Sequence, residues 1–162
     1  MMRGLSRSRV FGFGIVWLSL GVLAYLGFHA FLSPRVARPV AHSGEPVVIE
    51  RSHDQHFYVE GAINGHPVTF LVDTGASLVS IGETTASAIG LSAGVPAVFN
   101  TAAGPASGRI VADVRVTVGG LRVDGLRVGV GSVEQALLGQ NFLKRFRLTQ
   151  DGDRLVLRAS DF

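Results

Sequence analysis

From about residue 47 onward, apolar and polar side chains alternate in short runs broken by Gly, Pro, Asn and Asp. Alternation of this kind is the mark of strands with one buried face. Val47-Val48-Ile49 and Phe57-Tyr58-Val59 read as strands. Asn64-Gly65 is the signature of a tight hairpin turn, and its return strand, Val68-Thr69-Phe70-Leu71-Val72, runs directly into Asp73. A second apolar run, Leu78-Val79-Ser80-Ile81, follows the loop Thr74-Gly75-Ala76-Ser77. Glu83-Thr84-Thr85-Ala86-Ser87-Ala88-Ile89 then predicts a turn or two of helix stopped by Gly90. Residues 94–108 (GVPAVFNTAAGPASG) are uncharged and rich in small residues, which predicts a mobile hairpin or loop that covers something. Residues 109–130 predict another hairpin, with Ile110, Ala112, Val114, Val116 and Val118 alternating before a turn at Gly119-Gly120. Ala136-Leu137-Leu138-Gly139 precedes a short helical stretch over 140–146. Two last strands, Arg147-Leu148-Thr149 and Arg154-Leu155-Val156-Leu157-Arg158, flank a turn at Asp151-Gly152-Asp153. The order hairpin, apolar run, Gly, short helix occurs twice, once around Asp73 and once around Leu137-Leu138-Gly139. The pattern predicts an all-β domain built on a duplicated unit.

The N-terminal region has a different character. Residues 10–32 contain no Asp, Glu, Lys or Arg, and a bilayer core needs about 20 apolar residues in a helix. A cleaved signal sequence would have a shorter apolar run and a small-x-small site after it. Neither is present, so an uncleaved membrane anchor is expected. Arg3, Arg7 and Arg9 before the span outweigh Arg35 and Arg38 after it, which favours a cytoplasmic N-terminus. Pro34, Arg35, Arg38, Pro39, Ser43, Gly44 and Pro46 then predict a linker too polar and Pro-rich to pack. The expected organisation is a basic flank over 1–9, an anchor over 10–32, a linker over 33–46 and a β domain over 47–162.

Charge adds little once it is divided this way. The chain carries 15 Lys+Arg against 12 Asp+Glu, and the three N-terminal arginines account for the whole net +3. The remainder is neutral, so no nucleic-acid partner is expected. With no Cys, disulfides, thiol catalysis and Cys-ligated metals are excluded. His53-Asp54-Gln55-His56 lacks a third placed ligand, and neither a metal nor a cofactor is expected. Asp124 before Gly125 reads as a turn residue, Asp113 as an outward position on a strand, and Asp151 and Asp153 as solvated turn residues.

Asp73 is different. It is delivered by one apolar run into a Gly loop that leaves as another, which presents the acid rather than solvating it. Leu71-Val72-Asp73-Thr74-Gly75-Ala76-Ser77 resembles the active-site loop of retropepsin-type aspartic proteases, in their single-lobe, membrane-anchored bacterial version. Leu137-Leu138-Gly139, continuing through Gln140-Asn141-Phe142-Leu143, resembles the family's second hydrophobic-hydrophobic-Gly element and following helix. Phe99-Asn100-Thr101-Ala102-Ala103-Gly104 falls where the family carries its flap, although Ala-Ala-Gly followed by Pro105 departs from the pattern expected there. The likeness spans residues 57–157.

The resemblance implies a retropepsin-like closed β barrel with short helices, preceded by one transmembrane helix. It implies an aspartic endopeptidase acting on peptide or protein substrates. Peptide hydrolysis by this chemistry needs two carboxyls around one water, one ionised and one protonated, since two acids a few ångströms apart cannot both ionise. This chain has one Asp-Thr-Gly, so the second carboxyl is expected from Asp73 of another copy in a twofold homodimer. By the same resemblance Thr74 would bond across the interface, and Gly75 would permit close backbone approach, with Ala76 and Ser77 supporting the loop. The implied location is an inner membrane with the protease domain on the periplasmic side. Two other readings fit the same residues. One is a catalytically silent peptide-binding or dimerisation module of this fold. The other is a membrane-tethered β domain with an unrelated structural role.

Overall fold

The computed structural model describes residues 7–39, 45–101 and 104–159. An apolar helix comes first, α1 (Arg7–Leu32). It is followed by β1 (Val36–Ala37), β2 (Val47–Glu50), β3 (Tyr58–Ile63), β4 (His66–Val72), β5 (Val79–Gly82), α2 (Glu83–Ala88), β6 (Val95–Thr101) and β7 (Gly104–Val118). Then come β8 (Leu121–Gly131), β9 (Ala136–Leu138), α3 (Gln140–Leu143), β10 (Phe146–Asp151) and β11 (Arg154–Ala159). The helix and the β elements form two separate compact units, divided after Ser33. Within α1, Gly14–Leu32 has a mean hydropathy of 1.9 and is long enough to cross a membrane, a property shared by signal sequences.

The expected all-β architecture is present. The larger sheet runs β1-β3-β4-β9-β5-β8-β7-β6, and β3 also pairs with β7 through Ala62↔Thr117 and Ile63↔Val116. That extra pairing closes β3, β4, β9, β5, β8 and β7 into a barrel, with β1 and β6 hanging on as outer strands. A second sheet, β10-β11-β2, packs beside it. Inside lie Val59, Phe70, Val79, Ile81, Val116, Val128, Val130, Leu138 and Phe142, all with no accessible surface. Each side chain of this kind contributes about 1.5–3 kcal/mol by leaving water. The period-two pattern of β4 and β5 therefore has a cause: alternate residues fill the barrel, and those between face outward.

Local turn chemistry sets the corners. Asn64 and Gly65 have φ of 49° and 86°, the left-handed pair that a two-residue hairpin of this twist requires. Asn64 also exchanges hydrogen bonds with Arg115, its N–H donating to the Arg115 carbonyl and its Oδ1 accepting from the Arg115 N–H, each at 2.9 Å. The turn is thereby tied to β7 where the barrel closes.

Several expectations are corrected here. Residues 34–39 of the expected linker do pack. β1 pairs in parallel with β3, Arg35 donates its N–H to Ser52 Oγ at 2.9 Å, and Arg38 pairs with Glu60 at 2.7 Å. The Pro39 ring meanwhile sits against Gly119. A parallel pairing with a strand some twenty residues further on leaves no trace in local composition. The hairpins expected over 94–108 and 109–130 share one strand, since β7 pairs with β6 from Gly104 to Ile110 and with β8 from Arg109 to Val118. The helix expected over 140–146 ends at Leu143, and Phe146 already belongs to β10. Asp124 is not at a chain reversal. It lies inside β8 beside Gly125, whose φ is 69°, and its carboxylate bonds Arg115 and Arg122. Those two guanidiniums hold Asp124 below the usual carboxylate range. Asp153, although exposed, pairs with Arg51 at 3.0 Å.

Ser52 is a buried polar side chain, 2% exposed, and its hydroxyl is one of the groups that hold the start of the β unit. Ser52→Ala would leave the Arg35 N–H without its acceptor. The expected cost is about 1–2 kcal/mol in urea unfolding of the full chain in detergent. Faster hydrogen exchange at Val36 and Ala37 should accompany it, and unchanged exchange there would show that the segment is held by other means.

Candidate active site

β4 ends at Val72, but the ladder continues by one more bond, from the Asp73 N–H to the Leu138 carbonyl at 3.2 Å. The acid is thus fixed at the rim of the barrel. Its Oδ1 accepts the Gly75 N–H at 2.8 Å, and its carbonyl accepts the Ala76 N–H at 3.3 Å. These bonds close a tight turn in which the carboxylate folds back over its own loop. Asp73 is half-buried, while Thr74, Gly75 and Ser77 are exposed and Ala76 is half-buried. A Cβ on Gly75 would lie 3.2 Å from Asp73 Oδ1, so the glycine leaves the carboxylate room.

The second loop element locks the first. β9 inserts between β4 and β5, pairing Leu71↔Leu137 and Val72↔Leu138 on one side and Ser80↔Leu137 on the other. Gly139 follows with φ −89°, an ordinary extended value, so its conformation does not demand glycine. The space does. A Cβ there would collide with the carbonyl of Leu78 and come within 2.9 Å of the Ala76 oxygen. With nothing at that position, α3 begins directly beneath the acid loop. The Gln140 N–H donates to the Ala76 carbonyl at 2.8 Å, and the Asn141 N–H donates to that of Ser77 at 3.1 Å.

Two side chains that the motif reading left without a role complete this lacing. Gln140 Nε2 donates to the Thr74 carbonyl at 3.0 Å. Asn141 Oδ1 accepts the Val79 N–H at 2.7 Å, and its Nδ2 donates to the Arg127 carbonyl at 2.7 Å. Asn141 thus joins β5 to β8 just past the loop. The adjacent amide pair right after Leu-Leu-Gly was the available signal, because a side-chain amide is the group that can serve a backbone donor and a backbone acceptor at once.

The expected flap is a hairpin of β6 and β7. Thr101 pairs with Gly104, whose φ is 108°, and Thr101 Oγ1 donates to the Gly104 carbonyl at 2.7 Å. Asn100 is exposed and pairs with Pro105. Ala102 and Ala103 lie outside the described residues. Phe99 lies against the sheet, with its ring over Gly129 beside Ser80. The structure therefore brings together Asp73, Thr74, Gly75, Ala76 and Ser77 with Leu137, Leu138 and Gly139. It also sets Phe99 above the same sheet.

The remaining acids do other work. Asp54 accepts hydrogen bonds from Tyr58 Oη at 2.7 Å and from the His56 N–H at 3.2 Å. Burial opposes its ionisation, but these bonds win and hold it below the usual carboxylate range, while burial and Asp54 push the Tyr58 phenol up to about 12. Asp113 is exposed at a bulge of β7, with φ of 59°.

An acid loop interlocked with a glycine element at the rim of a closed barrel is the architecture of a retropepsin-like aspartic protease. The chain belongs to that family: residues 59–145 match the family of gag-polyprotein putative aspartyl proteases. A crystal structure of a retropepsin-like aspartic protease from Rickettsia conorii is similar at a TM-score of 0.63 and 28% identity, covering 71% of this chain and 91% of that one. An uncharacterized protein of Rickettsia prowazekii (strain Madrid E) is 32% identical over 117 residues, 68% of this chain. The chain spans about half the length of that curated relative, 50%.

If Gly139 matters for clearance, Gly139→Ala should cost about 3 kcal/mol, because the methyl group can only be fitted by moving the acid loop. Asn141→Ala should cost about 2 kcal/mol by orphaning the Val79 N–H and the Arg127 carbonyl. Both are read in urea unfolding of the full chain in detergent. A Gly139→Ala protein as stable as the parent would mean that the loops are not interlocked.

Proposed function

We propose that the chain is a membrane-anchored aspartic endopeptidase that acts as a homodimer, with Asp73 from each copy flanking one water. The observation that carries this reading is the rigid presentation of Asp73 at the barrel rim, with a single acid in the two interlocked loops. A lone carboxylate can take a proton from water, but it cannot also donate one to the carbonyl oxygen of the peptide. A twofold axis beside Thr74 would supply the partner from the same loop of a second chain. The exposure of Thr74, Gly75 and Ser77 supports that axis, since these groups stand free to meet a copy.

In the proposed reaction the ionised carboxylate accepts a proton from water as its oxygen attacks the peptide carbonyl carbon. The protonated carboxyl of the other copy hydrogen-bonds the carbonyl oxygen and stabilises the charge that develops there. The tetrahedral intermediate collapses with breakage of the C–N bond, and the leaving nitrogen takes up a proton from the pair. One proton must stay on the two carboxyls, so activity should lean to acid pH. Through residues 10–32 the chain would be held in the inner membrane, with the β unit on the periplasmic side. A common membrane raises the effective concentration of the two halves. A silent peptide-binding module of the same fold would keep every contact above and lose only the chemistry.

Replacing Asp73 by Asn separates these readings. The full chain in detergent should cleave an unfolded protein, and Asp73→Asn should reduce the rate by about a thousandfold or more. Equal cleavage by both proteins would end the aspartic-protease reading, and cleavage by neither would favour the silent module. The dimer makes its own prediction: specific activity should fall on dilution as the assembled form is lost by mass action. Activity strictly proportional to concentration at low levels would point to a self-sufficient single chain.

A further inference from the structure

Three glycines on neighbouring strands, Gly108, Gly129 and Gly131, are not at positive φ, so none is required by its backbone conformation. Glycine inside a strand weakens it, because it loses more freedom on folding and packs nothing. Their common neighbour supplies a reason. A Cβ built on Gly129 would lie 3.2 and 3.3 Å from the Phe99 ring and 3.0 Å from Ser80 Oγ. On Gly108 it would lie 2.8 Å from the same ring, besides meeting the Val130 carbonyl, and on Gly131 it would touch the ring at 3.9 Å. The three positions form a floor whose missing side chains are replaced by one aromatic ring from the flap strand β6.

Strand register puts that floor on the face to which Asp73 belongs. Paired residues share a side of a sheet, and the pairs run Leu71↔Leu137, Leu137↔Ser80, Ser80↔Gly129 and Gly129↔Ile110. Residue 71 is two positions before Asp73, whose N–H continues the same ladder, so the acid has the parity of this row. The neighbouring parity, Phe70, Val79, Val128 and Leu138, fills the barrel. Gly108 and Gly131 also line an open cleft of about 560 Å³, together with Gly82, Glu83, Ser107 and Glu134. The ring lies at the end of the row that leads from the acid and touches two residues of that cleft, Gly108 and Gly131, without lining it itself.

We propose that Phe99 is a specificity-determining residue: its ring, seated on Gly108, Gly129 and Gly131, occupies the volume that a large apolar side chain of a bound peptide would otherwise take. The inference rests on the endopeptidase reading and deepens it by naming what one subsite admits. With the ring in place that subsite takes small side chains. With the ring removed it takes aromatic ones, because the glycine floor provides the depth.

The test uses binding, so that it is separable from catalysis. In the full-length Asp73→Asn chain in detergent, which should bind without cutting, fluorescence anisotropy compares labelled uncharged peptides that carry Ala or Phe at each central position in turn. The expected result is a preference for Ala at one position, reversed by adding Phe99→Ala, with a change in the ratio of about tenfold or more. Phe99→Leu should give an intermediate ratio and serves if Phe99→Ala melts early. Adding Gly129→Val to Phe99→Ala refills the floor and should restore the preference for Ala. Ratios that do not move with the side chain at 99, or an absence of peptide binding by the Asp73→Asn chain, would overturn the inference. Loss of cleavage in the parent chain with these ratios still shifting would overturn only the catalytic reading.

Discussion

Everything around the acid depends on how closely residue 139 approaches the backbone of Ala76 and Leu78. Two chain segments cross there at a distance that admits no side chain. Once they cross, the first turn of α3 lies within hydrogen-bond reach of the loop. The Ala76, Ser77 and Thr74 carbonyls are then all satisfied from Gln140 and Asn141. A loop exposed at a barrel rim would ordinarily satisfy its carbonyls with water and move. Here they are held by protein donors, and the carboxylate of Asp73 is turned onto the Gly75 N–H by the same geometry. The position of one acid is thus set by a residue sixty-six places away that touches it nowhere.

The duplicated unit explains why the crossing exists. β4 and β9 run parallel as neighbours, each followed by a loop and then, at once or after β5, by a short helix. In the first copy the loop carries an acid. In the second, Leu138 goes into the core and Gly139 gives way to the first loop. One copy presents and the other supports. A single chain of this design presents one carboxyl at its rim, and the homodimer proposed above would bring two together.

Much of this was legible in the residues because it is local. Asn64-Gly65 and Gly119-Gly120 announce their turns, and the alternation of β4, β7 and β8 announces which side chains fill the barrel. Asp73 stood out because an apolar run delivers it into glycine. The parts that were not legible all depend on partners distant in sequence. Val36 and Ala37 become a strand only because Tyr58 and Val59 lie alongside. β7 is one strand because two different partners use it. Asn141 looks like any helical amide until β5 and β8 supply its bonds. Gly125 inside β8 imitates a turn, since a bulge and a chain reversal call for the same left-handed residue.

Asp73 and β6 are fastened differently, and topology is the reason. Asp73 hangs from β4 in a ring of six strands that closes on itself through β3 and β7, so moving it means opening the barrel. β6 is fastened along one side only: it is the last strand of the sheet, with Val95 and Val98 on it 72% and 68% exposed. Few buried apolar contacts and a single paired edge place a segment at the low end of local stability. The ring of Phe99 meets the sheet at glycines, a contact that directs no bond and can be replaced by any group of similar shape. The fixed place of the acid and the looser hold on β6 then follow from the same sheet, one from its closure and the other from its free edge.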